Sequence, residues 1–347
     1  MRVAIDAMGG DFGPSLVVPA SVKALNEEAS HLLFVGQRSE VIKHLDALES
    51  ADRARCEFIE APDIVEMSEH AATSVRKKPR SSMAIGLKLV EDGQADGFVS
   101  AGHSGAVMTG ALAIIGRVPG VERPALVTVL PTLRGRSMLL DLGATTDPRP
   151  HYLVQYAIMA VTYSRLVMGV ANPRVGLLSN GEERTKGNQL VQEVLPLLEA
   201  VPGMNFIGNV EAKELLRGDI EIFVTDGFTG NVALKSMEGA VSVLTDILRE
   251  EVTRTPFRKA LALLMRPALR QVRTRLDYEE IGGAPLLGVN GSVIVAHGRS
   301  RERAIANAVR VAARTAAQEI PAEIERAIRS ASVAPSPPAS SAGLPHA

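Results

Sequence analysis

The chain has 347 residues, of which 46% are hydrophobic and 22% charged, a composition typical of globular proteins with a sizeable core. Its formal net charge of −1 excludes a global field that would attract nucleic acid, so we expect no nucleic-acid partner. The only cysteine, Cys56, excludes an internal disulfide and a cysteine metal cluster. Asp6 interrupts any signal-peptide core, and together these features favour the cytoplasm.

Apolar runs alternate with polar or glycine-rich turns along the chain, a pattern that predicts strands and helices in alternation. In chain order, the predicted elements are a strand at Arg2–Asp6, a helix from about Ser15, strands at Leu32–Val35, Cys56–Glu60 and Gly97–Ser100, a helix at Ser104–Ile115, strands at Leu126–Leu130 and Ser137–Leu142, a helix at Tyr152–Met168, a strand at Arg174–Leu178, a helix at Asn188–Ala200, strands at Met204–Ile207 and Ile220–Val224, a helix after Asn231, a strand at Ser292–Ala296 and a helix through Ile305 and Ala316. This order predicts an α/β protein with a largely parallel sheet and flanking helices.

Three local features refine this prediction. The runs Leu126–Leu130 and Ser137–Leu142 flank a short turn with a glycine, so we expect a hairpin. Pro321 is expected to stop the last helix. We expect residues 1–330 to form a single α/β catalytic domain and residues 331–347, rich in Pro, Ser and Ala, to be a disordered tail.

The stretch from Gly97 to Gly116 contains no charged residue and is about long enough to span a bilayer. Glycines interrupt it, as do His103, Ser104 and Thr109. A strand, a glycine turn and a buried helix therefore explain the stretch better than a membrane span.

The segment from Val224 to Asn231 is a candidate anion site. An apolar run leads into it and a helical pattern leaves it, so backbone N–H groups at the helix start would point at a ligand. The alternative is a structural turn in which Thr229 or Asn231 is the N-cap. This segment alone does not decide between the two.

Four further predicted strands end in glycine-containing polar turns: Asp6–Asp11, Ser100–Gly105, Asp141–Thr145 and Ser179–Glu183. Glycine lets a ligand approach the main chain closely, and ligands of parallel sheets bind beyond the carboxyl ends of strands. We therefore expect one glycine-lined crevice for an anion or an acyl group on one side of the sheet. None of the turns matches a Walker loop or the dinucleotide Gly-x-Gly-x-x-Gly motif. These turns therefore do not indicate a nucleotide site.

Three motifs together resemble the bacterial phosphate acyltransferase family: Asp-Ala-Met-Gly-Gly-Asp at residues 6–11, Thr-Asp-Gly-Phe-Thr-Gly-Asn at 225–231 and Gly-Gly-Ala-Pro-Leu-Leu-Gly-Val-Asn-Gly at 282–291. The similarity runs from about Met1 to Ile320. It implies transfer of a fatty acyl group from acyl carrier protein to inorganic phosphate, without a cofactor. The acyl phosphate would serve phospholipid synthesis through a membrane glycerol-3-phosphate acyltransferase. The resemblance also implies a homodimer and a fold similar to isocitrate and isopropylmalate dehydrogenases and phosphate acetyltransferase.

Some positions depart from the pattern of the family. Residue 103 is a histidine where the family usually has asparagine, and Thr145 also replaces an asparagine. Arg184 is atypical, while the following Lys-Gly-Asn at 186–188 is retained. These changes leave the expected reaction intact but put in doubt any side-chain role for His103 and Thr145.

The expected reaction places two demands on side chains. Phosphate is an anionic nucleophile and a thioester is already activated, so the protein must bind phosphate, orient it and stabilise the oxyanion. Lys186 is the candidate for phosphate neutralisation and Asn231 for an amide donor. The alternatives are a solvated lysine and an N-cap. Asp11 and Asp226 could orient the lysine or cap turns.

The remaining site predictions follow from the glycine turns. The predicted substrate-binding residues are Asp6, Gly9, Gly10, Asp11, Gly102, His103, Ser104, Gly105, Asn180, Gly181, Glu182, Asp226, Gly227, Thr229 and Gly230. His103 is expected to be a loop residue near the site rather than a general base, and Cys56 is not expected to be a nucleophile. No grouping of His, Asp and Glu has convincing metal spacing, so we expect no metal.

Residues 252–276 carry seven basic side chains and no acidic ones. Apolar residues recur there at helical spacing, and Pro267 is expected to divide the run into two short helices. Such a basic amphipathic pair can rest on an anionic membrane surface. The predicted contacts are Phe257, Arg258, Leu261, Leu264, Arg266 and Arg270. The alternatives are a dimer interface and a core helix with a basic rim.

We therefore expect a cytoplasmic protein that associates peripherally with the inner face of the membrane. Two other functions stay open. One is a related α/β enzyme, such as an acetyl-phosphate-forming transferase or a decarboxylating dehydrogenase, which would need a nucleotide or metal site that the sequence does not indicate. The other is a non-catalytic scaffold at the membrane surface.

Overall fold

The computed structural model describes residues 1–25, 29–276 and 282–332 of the chain. Within these residues, eleven strands form one sheet. The strands are β1 (Arg2–Asp6), β2 (His31–Gly36), β3 (Cys56–Glu60), β4 (Gly97–Ser100), β5 (Ala125–Thr132), β6 (Gly135–Leu140), β7 (Arg174–Ser179), β8 (Asn205–Glu211), β9 (Ile222–Val224), β10 (Ala284–Leu287) and β11 (Ser292–Val295).

Helices flank this sheet. Those in the described residues are α1 (Pro14–Val22), α2 (Arg38–Leu45), α3 (Ser50–Arg53), α4 (Ala71–Lys77), α5 (Ser82–Glu91), α6 (Ser104–Ile114), α7 (Pro150–Leu166), α8 (Gln189–Glu199), α9 (Gly227–Thr253), α10 (Pro256–Leu276), α11 (Glu302–Ala317) and α12 (Ile320–Ser332). The α/β class with flanking helices is confirmed.

The sheet is largely parallel but contains a reversal of direction. Its strand order is β3-β2-β1-β4-β11-β10-β5-β6-β9-β7-β8. Seven neighbouring pairs are parallel. β10 is antiparallel to β11 and β5, and β5 is antiparallel to β6. As a result, β6, β9, β7 and β8 run in the opposite sense to β1–β4 and β11.

One hydrophobic cluster joins the two halves of the sheet. Phe98 of β4, Leu139 of β6 and Phe223 of β9 are all fully buried in it. Val107 of α6 is buried in the same cluster, and Leu234 of α9 packs against it. Each such side chain contributes roughly 1.5–3 kcal/mol by leaving water. Helices α6 and α9 therefore cover one core, although they follow strands that run in opposite senses.

The ten predicted strands are all present, with ends that differ by four residues or fewer, and the β5–β6 hairpin is confirmed. The sequence did not indicate β10, α2–α5 or α12. Pro321 does not stop α11, which already ends at Ala317. Pro321 lies instead in the first turn of α12, where its missing N–H costs no hydrogen bond. The predicted tail lies outside the described residues from 333 onward, and α12 includes residues 331 and 332.

Pro267 does not divide the basic segment into two helices, so that prediction was wrong. It lies inside α10, and the break in the chain falls at residues 254–255, between α9 and α10. A proline within a helix removes one backbone hydrogen bond, which is tolerated where water can reach the freed carbonyl group. The neighbouring Leu263 and Leu264 are exposed, in agreement with this explanation. The two helices of this region are therefore α9 and α10.

Candidate functional site

The turn after β6 is built around the buried carboxylate of Asp141. Its Oδ1 atom accepts the N–H groups of Leu126, Leu142 and Ala144 at 2.9, 2.7 and 3.2 Å. Its Oδ2 atom accepts the Thr145 N–H at 2.7 Å. A buried carboxylate is costly unless it is hydrogen-bonded, and these four donors meet that need. The turn is consequently held in one conformation, with the Gly143 backbone at its surface.

The first turn of α9 packs directly on the Asp141 turn. A Cβ atom on Gly227 would lie 2.7 Å from Asp141 Oδ2, and one on Gly230 would lie 2.0 Å from the Asp141 carbonyl oxygen. The Gly227 N–H also donates to the Thr145 carbonyl oxygen at 2.9 Å. Glycine at both positions is therefore needed for the two backbones to approach so closely.

Asp226 is the N-cap of α9, so neither Thr229 nor Asn231 is the cap. Asp226 Oδ1 accepts the Thr229 N–H at 2.8 Å, and the Asp226 carbonyl oxygen accepts the Gly230 N–H at 2.9 Å. With the Gly227 N–H already bonded, three of the first four N–H groups of α9 have partners. The start of α9 thus has less capacity for an anion than its sequence indicates.

Asn231 lies one position beyond this capped turn and is exposed. Its Nδ2 atom would be 3.5 Å from a Cβ atom on Gly143. In the part of the chain that the structure describes, the Asn231 amide makes no hydrogen bond. An amide with free donors therefore stands beside the glycine of the Asp141 turn, where a substrate oxygen could accept from it.

A second cluster lies at the end of β1 and β4. Ser100 Oγ donates to Asp6 Oδ2 at 2.7 Å and accepts the Gly102 N–H at 3.0 Å. The Met8 N–H donates to Asp6 Oδ1 at 3.2 Å. Burial raises the pKa of Asp6, and the hydrogen bonds from Ser82 and Ser100 oppose this rise. Asp6 thus fixes the backbone of this cluster rather than presenting a carboxylate to a ligand.

Glycines make this second cluster compact. A Cβ atom on Gly9 would lie 2.7 Å from the Gly102 nitrogen, and one on Gly10 would lie 3.1 Å from the Gly298 carbonyl oxygen. The same Gly298 oxygen accepts the Asp11 N–H at 2.9 Å. The structure therefore brings the predicted residues of the β1 and β4 turns together, and it adds the loop after β11.

His103 is the N-cap of α6. Its Nδ1 atom accepts the Ala106 N–H at 3.4 Å, a role that an asparagine oxygen also fills. The histidine is therefore compatible with the turn in place of the usual amide. The next two N–H groups, of Ser104 and Gly105, have no partner among the described residues. Among the described residues, the start of α6 thus keeps two N–H groups without a partner, against one at the start of α9.

The loop after β7 carries Lys186. Asn180 Oδ1 accepts the Gly187 N–H at 2.9 Å, which closes the loop. Glu182 is exposed and is paired with Lys213 at 3.3 Å. The Lys186 side chain is also exposed, and within the described residues it forms no ion pair. Because β7 is hydrogen-bonded to β9, this loop leaves the sheet one strand away from Asp226.

The expected single crevice at one side of the sheet needs correction. The turns of β1 and β4 and the turns of β6, β9 and β7 leave strands of opposite sense, because β5, which runs in the same sense as β11, is antiparallel to β6. The two sets meet through the helices instead. Gly105 of α6 and Thr145 of the Asp141 turn line opposite walls of one groove.

His297 and Lys235 were not predicted, and they connect α9 with the loop after β11. Partial burial lowers the pKa of His297, and the charge of Lys235 lowers it further, while Asp11 raises it slightly. Lys235 follows Asn231 by four residues, which places both on one face of α9. The spacing of Asn231 and Lys235 was the signal in the sequence that could have indicated Lys235.

Asp141 was also not predicted as a site residue, although its turn, Asp141–Thr145, was.

The predicted membrane contacts lie on α10. Phe257, Leu261 and Leu264 are 73%, 46% and 80% exposed, which excludes the alternative of a core helix for these side chains. Arg258 donates to Glu251 of α9 at 2.7 Å, and Arg266 is exposed. The Arg270 side chain lies outside the described part of the structure.

Several other observations bear on the chemistry. Among the described residues, no group of three or more His, Cys, Asp or Glu side chains could hold a metal ion. None of the described helices is both long and apolar enough to cross a bilayer. Burial raises the pKa of the Cys56 thiol to about 11, so this thiol is protonated at neutral pH and a poor nucleophile.

Comparisons with known proteins find relatives that match most of the chain. The model of a family described as fatty acid synthesis protein matches residues 1–323. The chain is 46% identical over 313 residues to a phosphate acyltransferase of Desulfitobacterium hafniense, covering 90% of this chain and 93% of that protein. It is 44% identical over 328 residues to one of Heliobacterium modesticaldum, covering 94% and 98%.

Solved structures share the fold at lower sequence identity. A phosphotransacetylase from Streptococcus pyogenes superposes with a TM-score of 0.62 at 21% identity, over 91% of this chain and 94% of that one. A 4-hydroxythreonine-4-phosphate dehydrogenase from Klebsiella pneumoniae gives 0.53 at 12% identity, over 91% and 99%. These likenesses confirm the predicted dehydrogenase-like and transacetylase-like fold.

Proposed function

The chain belongs to the phosphate acyltransferase family, and we propose that it transfers a fatty acyl group from acyl carrier protein to inorganic phosphate. The acyl phosphate would then be consumed by the membrane glycerol-3-phosphate acyltransferase of phospholipid synthesis. Membership of the family makes the chain an acyltransferase that acts on phosphate. The identity of the donor and the role in phospholipid synthesis are the parts that we propose.

In the proposed reaction, a phosphate oxygen attacks the thioester carbonyl and forms a tetrahedral oxyanion. The C–S bond breaks as the oxyanion collapses, and the new C–O–P link remains in the acyl phosphate. The thiolate of the carrier leaves and takes a proton from water. No covalent intermediate with the protein is needed, so the absence of an activated cysteine poses no difficulty.

We assign the roles within the site from the free donors. The Asn231 amide and the N–H groups of Ser104 and Gly105 would donate to the oxyanion. Lys186 would neutralise the attacking phosphate, since it carries an exposed ammonium group without an ion pair in the described structure. Asp141 and Asp6 would hold the two backbones in place. The remaining predicted substrate-binding residues line these turns.

One observation carries the proposal most strongly. The Asn231 amide is free of any hydrogen bond in the described structure, although the turn before it is fully organised by Asp226 and Asp141. Preorganised donors of this kind stabilise developing negative charge, and the loss of one costs roughly 3–4 kcal/mol in the barrier. If Asn231 had only a structural role, we would expect it to cap α9. Asp226 is the cap instead, so the Asn231 amide is left for a ligand.

The test is release of free thiol from hexadecanoyl-acyl carrier protein with and without phosphate. Release that depends on phosphate supports the proposal, and equal release in both conditions contradicts it. Acetyl donors provide the control for an acetyl-phosphate-forming transferase. That alternative requires acetyl thioesters to be used at least as well as fatty acyl ones.

We further propose that α9 and α10 form both the homodimer contact and the contact with an anionic membrane. Large apolar side chains on both helices are exposed, including Leu244 and Ile247 of α9 and Leu264 of α10. Basic residues are interspersed with them on α10, and each cation near an anionic surface contributes roughly 1 kcal/mol. The protein would then work at the inner face of the membrane, as one catalytic unit of residues 1–330 in each subunit.

Neutralising Arg258, Lys259 and Arg266 together tests the membrane contact. Weaker binding to vesicles of anionic lipid, with an unchanged oligomeric state, supports the proposal. Unchanged vesicle binding contradicts it. Light scattering on the same samples reports the dimer separately, so the two surfaces can be distinguished.

A further inference from the structure

A groove of about 540 Å³ lies between α4, α6 and the Asp141 turn. We propose that this groove holds the fatty acyl chain of the thioester and sets which chain lengths are used. The inference rests on the proposed function, because it needs an acyl donor. Its volume is within the range of about 300–1,000 Å³ that is usual for small-ligand sites.

One wall of the groove is a stripe along α6. Gly105, Met108, Thr109 and Leu112 line it, at the i, i+3, i+4 and i+7 positions that share one helix face. Met108 and Leu112 are partly buried and pack against the shared core cluster. The Thr109 hydroxyl lies 2.9 Å from the carbonyl oxygens of both Gly105 and Ala71, so its one proton is donated to the protein rather than to the groove. The wall is therefore apolar along its length.

The opposite wall begins at the candidate site. Ala144 and Thr145 line it, and both belong to the turn that Asp141 holds. Pro124 extends this wall with another apolar side chain. The Asn231 amide stands beside Gly143 of the same turn. One end of the groove is thus continuous with the donors assigned to the oxyanion.

The geometry gives the groove a direction. Gly105 carries one of the two N–H groups at the start of α6 that have no partner in the described part of the chain, and Leu112 lies seven residues later, roughly 10 Å along the helix at about 1.5 Å per residue. A thioester carbonyl bound at Gly105 would direct its alkyl chain toward Leu112. Hydrocarbon is the ligand chemistry that suits an apolar groove of this shape.

Charged groups lie where they can stay in water. Glu69 lines the groove and is paired with Lys78 at 2.6 Å. Arg123 and His70 line it as well, and both are exposed. An alkyl chain that packs between Met108 and Pro124 therefore does not have to remove Glu69, His70 or Arg123 from water.

The consequence is a dependence on chain length with a defined limit. Each methylene buried contributes about 0.8 kcal/mol, which corresponds to about a fourfold gain in kcat/KM. We expect kcat/KM to rise from hexanoyl to decanoyl donors and to level off once the chain reaches Leu112. The position of the plateau is set by the side chain at residue 112.

Replacing Leu112 by tryptophan tests this directly. Leu112→Trp should lower kcat/KM at least about tenfold for hexadecanoyl-acyl carrier protein and leave hexanoyl-acyl carrier protein within about twofold of the wild type. The matched control is Ala113→Trp, which places the same bulk on an exposed position of the same helix. Ala113→Trp should leave kcat/KM unchanged for both hexadecanoyl- and hexanoyl-acyl carrier protein. Leu112→Gln, which keeps the size but adds polarity, should act in the same direction and needs less repacking.

The outcomes are distinct. The proposal that the groove holds the acyl chain is overturned by either of two results. One is an equal loss of kcat/KM for both donors in the residue-112 variants. The other is the same change in selectivity in Ala113→Trp. If the wild type releases no thiol in response to phosphate with any donor, the proposed function fails instead. Equilibrium binding of hexadecanoyl-pantetheine needs no turnover, so it still tests the groove in that case. Weaker binding in Leu112→Gln but not in Ala113→Trp would support the groove, and equal binding in all three proteins would overturn it.

Discussion

Gly230 lies so close to Asp141 that a Cβ atom on the glycine would be 2.0 Å from the aspartate carbonyl oxygen. This contact joins the first turn of α9 to the turn after β6. Asp141 is itself fixed by four backbone N–H donors, so the helix packs against a rigid surface. The position of Asn231, one residue later, follows from this packing.

Gly230→Ala should therefore displace α9 from the Asp141 turn. We expect a loss of at least about 2 kcal/mol in the free energy of unfolding, because overpacking of this kind typically costs 1–3 kcal/mol. The rate of phosphate-dependent thiol release should fall as well, since Asn231 moves with the helix. Thermal unfolding and the thiol assay measure the two effects.

Gly239→Ala is the matched control, because Gly239 lies on the same helix with no atom close to its Cβ position. There the change should be neutral or stabilising by up to about 1 kcal/mol, as expected for glycine to alanine within a helix. Equal stability of the two variants would show that the close contact with Asp141 is not important.

Asn231→Ala should affect catalysis and not folding. Its amide is not the helix cap and makes no hydrogen bond within the described residues, so the melting temperature should change little. The loss of a preorganised donor should lower kcat by about 10²–10³-fold. Asp226→Ala, which removes the cap, should by contrast cost about 1 kcal/mol of stability. A fully active Asn231→Ala enzyme would contradict the assigned role.

Lys186→Ala should raise the KM for phosphate and lower kcat/KM for phosphate by at least about tenfold. The physical reason is the loss of an exposed cation in the loop before α8, which has no ion pair within the described residues. Arg184→Ala is the matched control, because it removes the same charge from the same loop while Arg184 is already paired with Glu199. If both variants weakened phosphate use equally, the effect would be one of general charge and not of Lys186.

The stability of the wild type should depend on pH through Asp6. Burial raises its pKa in the folded state above the ordinary value of an aspartate, so the folded protein binds the proton more tightly than the unfolded chain. Its stabilising contribution is complete below the unfolded pKa and is lost as pH rises through the folded pKa. The stability of Asp6→Asn relative to the wild type should thus increase as the pH is raised from about 4, the usual pKa of an unfolded aspartate, toward neutral in urea unfolding. A constant difference across that range would rule out this titration.

The sequence predicted the strands well because each is a short apolar run that ends in a glycine turn. Gly97–Ser100 and Cys56–Glu60 match the observed strands. The direction of β10 could not be read from its four residues, because pairing with β5 and β11 is decided by the tertiary structure. The three antiparallel pairings of β10 and β5 together reverse the sheet between β11 and β6, and this reversal made the expectation of a crevice on one side wrong.

The candidate site was predicted in part for similar reasons. Glycine and aspartate at strand ends marked the correct turns, as the Asp6 and Asp226 hydrogen bonds illustrate. The sequence left the cap of α9 open, because Asp226, Thr229 and Asn231 are all chemically able to cap, and the structure shows that Asp226 is the cap. The groove beside α6 was missed, since its second wall comes from a turn 40 residues away in sequence (Gly105 to Thr145).

The most direct measurement follows the oxygen atoms of phosphate. Hexadecanoyl-acyl carrier protein is incubated with the enzyme and ¹⁸O-labelled phosphate in ordinary water, and the product is analysed by mass spectrometry. We expect an acyl phosphate that retains all the labelled oxygen, formed together with free carrier thiol. Free fatty acid that contains solvent oxygen, released at the same rate without phosphate, would contradict the transfer of the acyl group to phosphate.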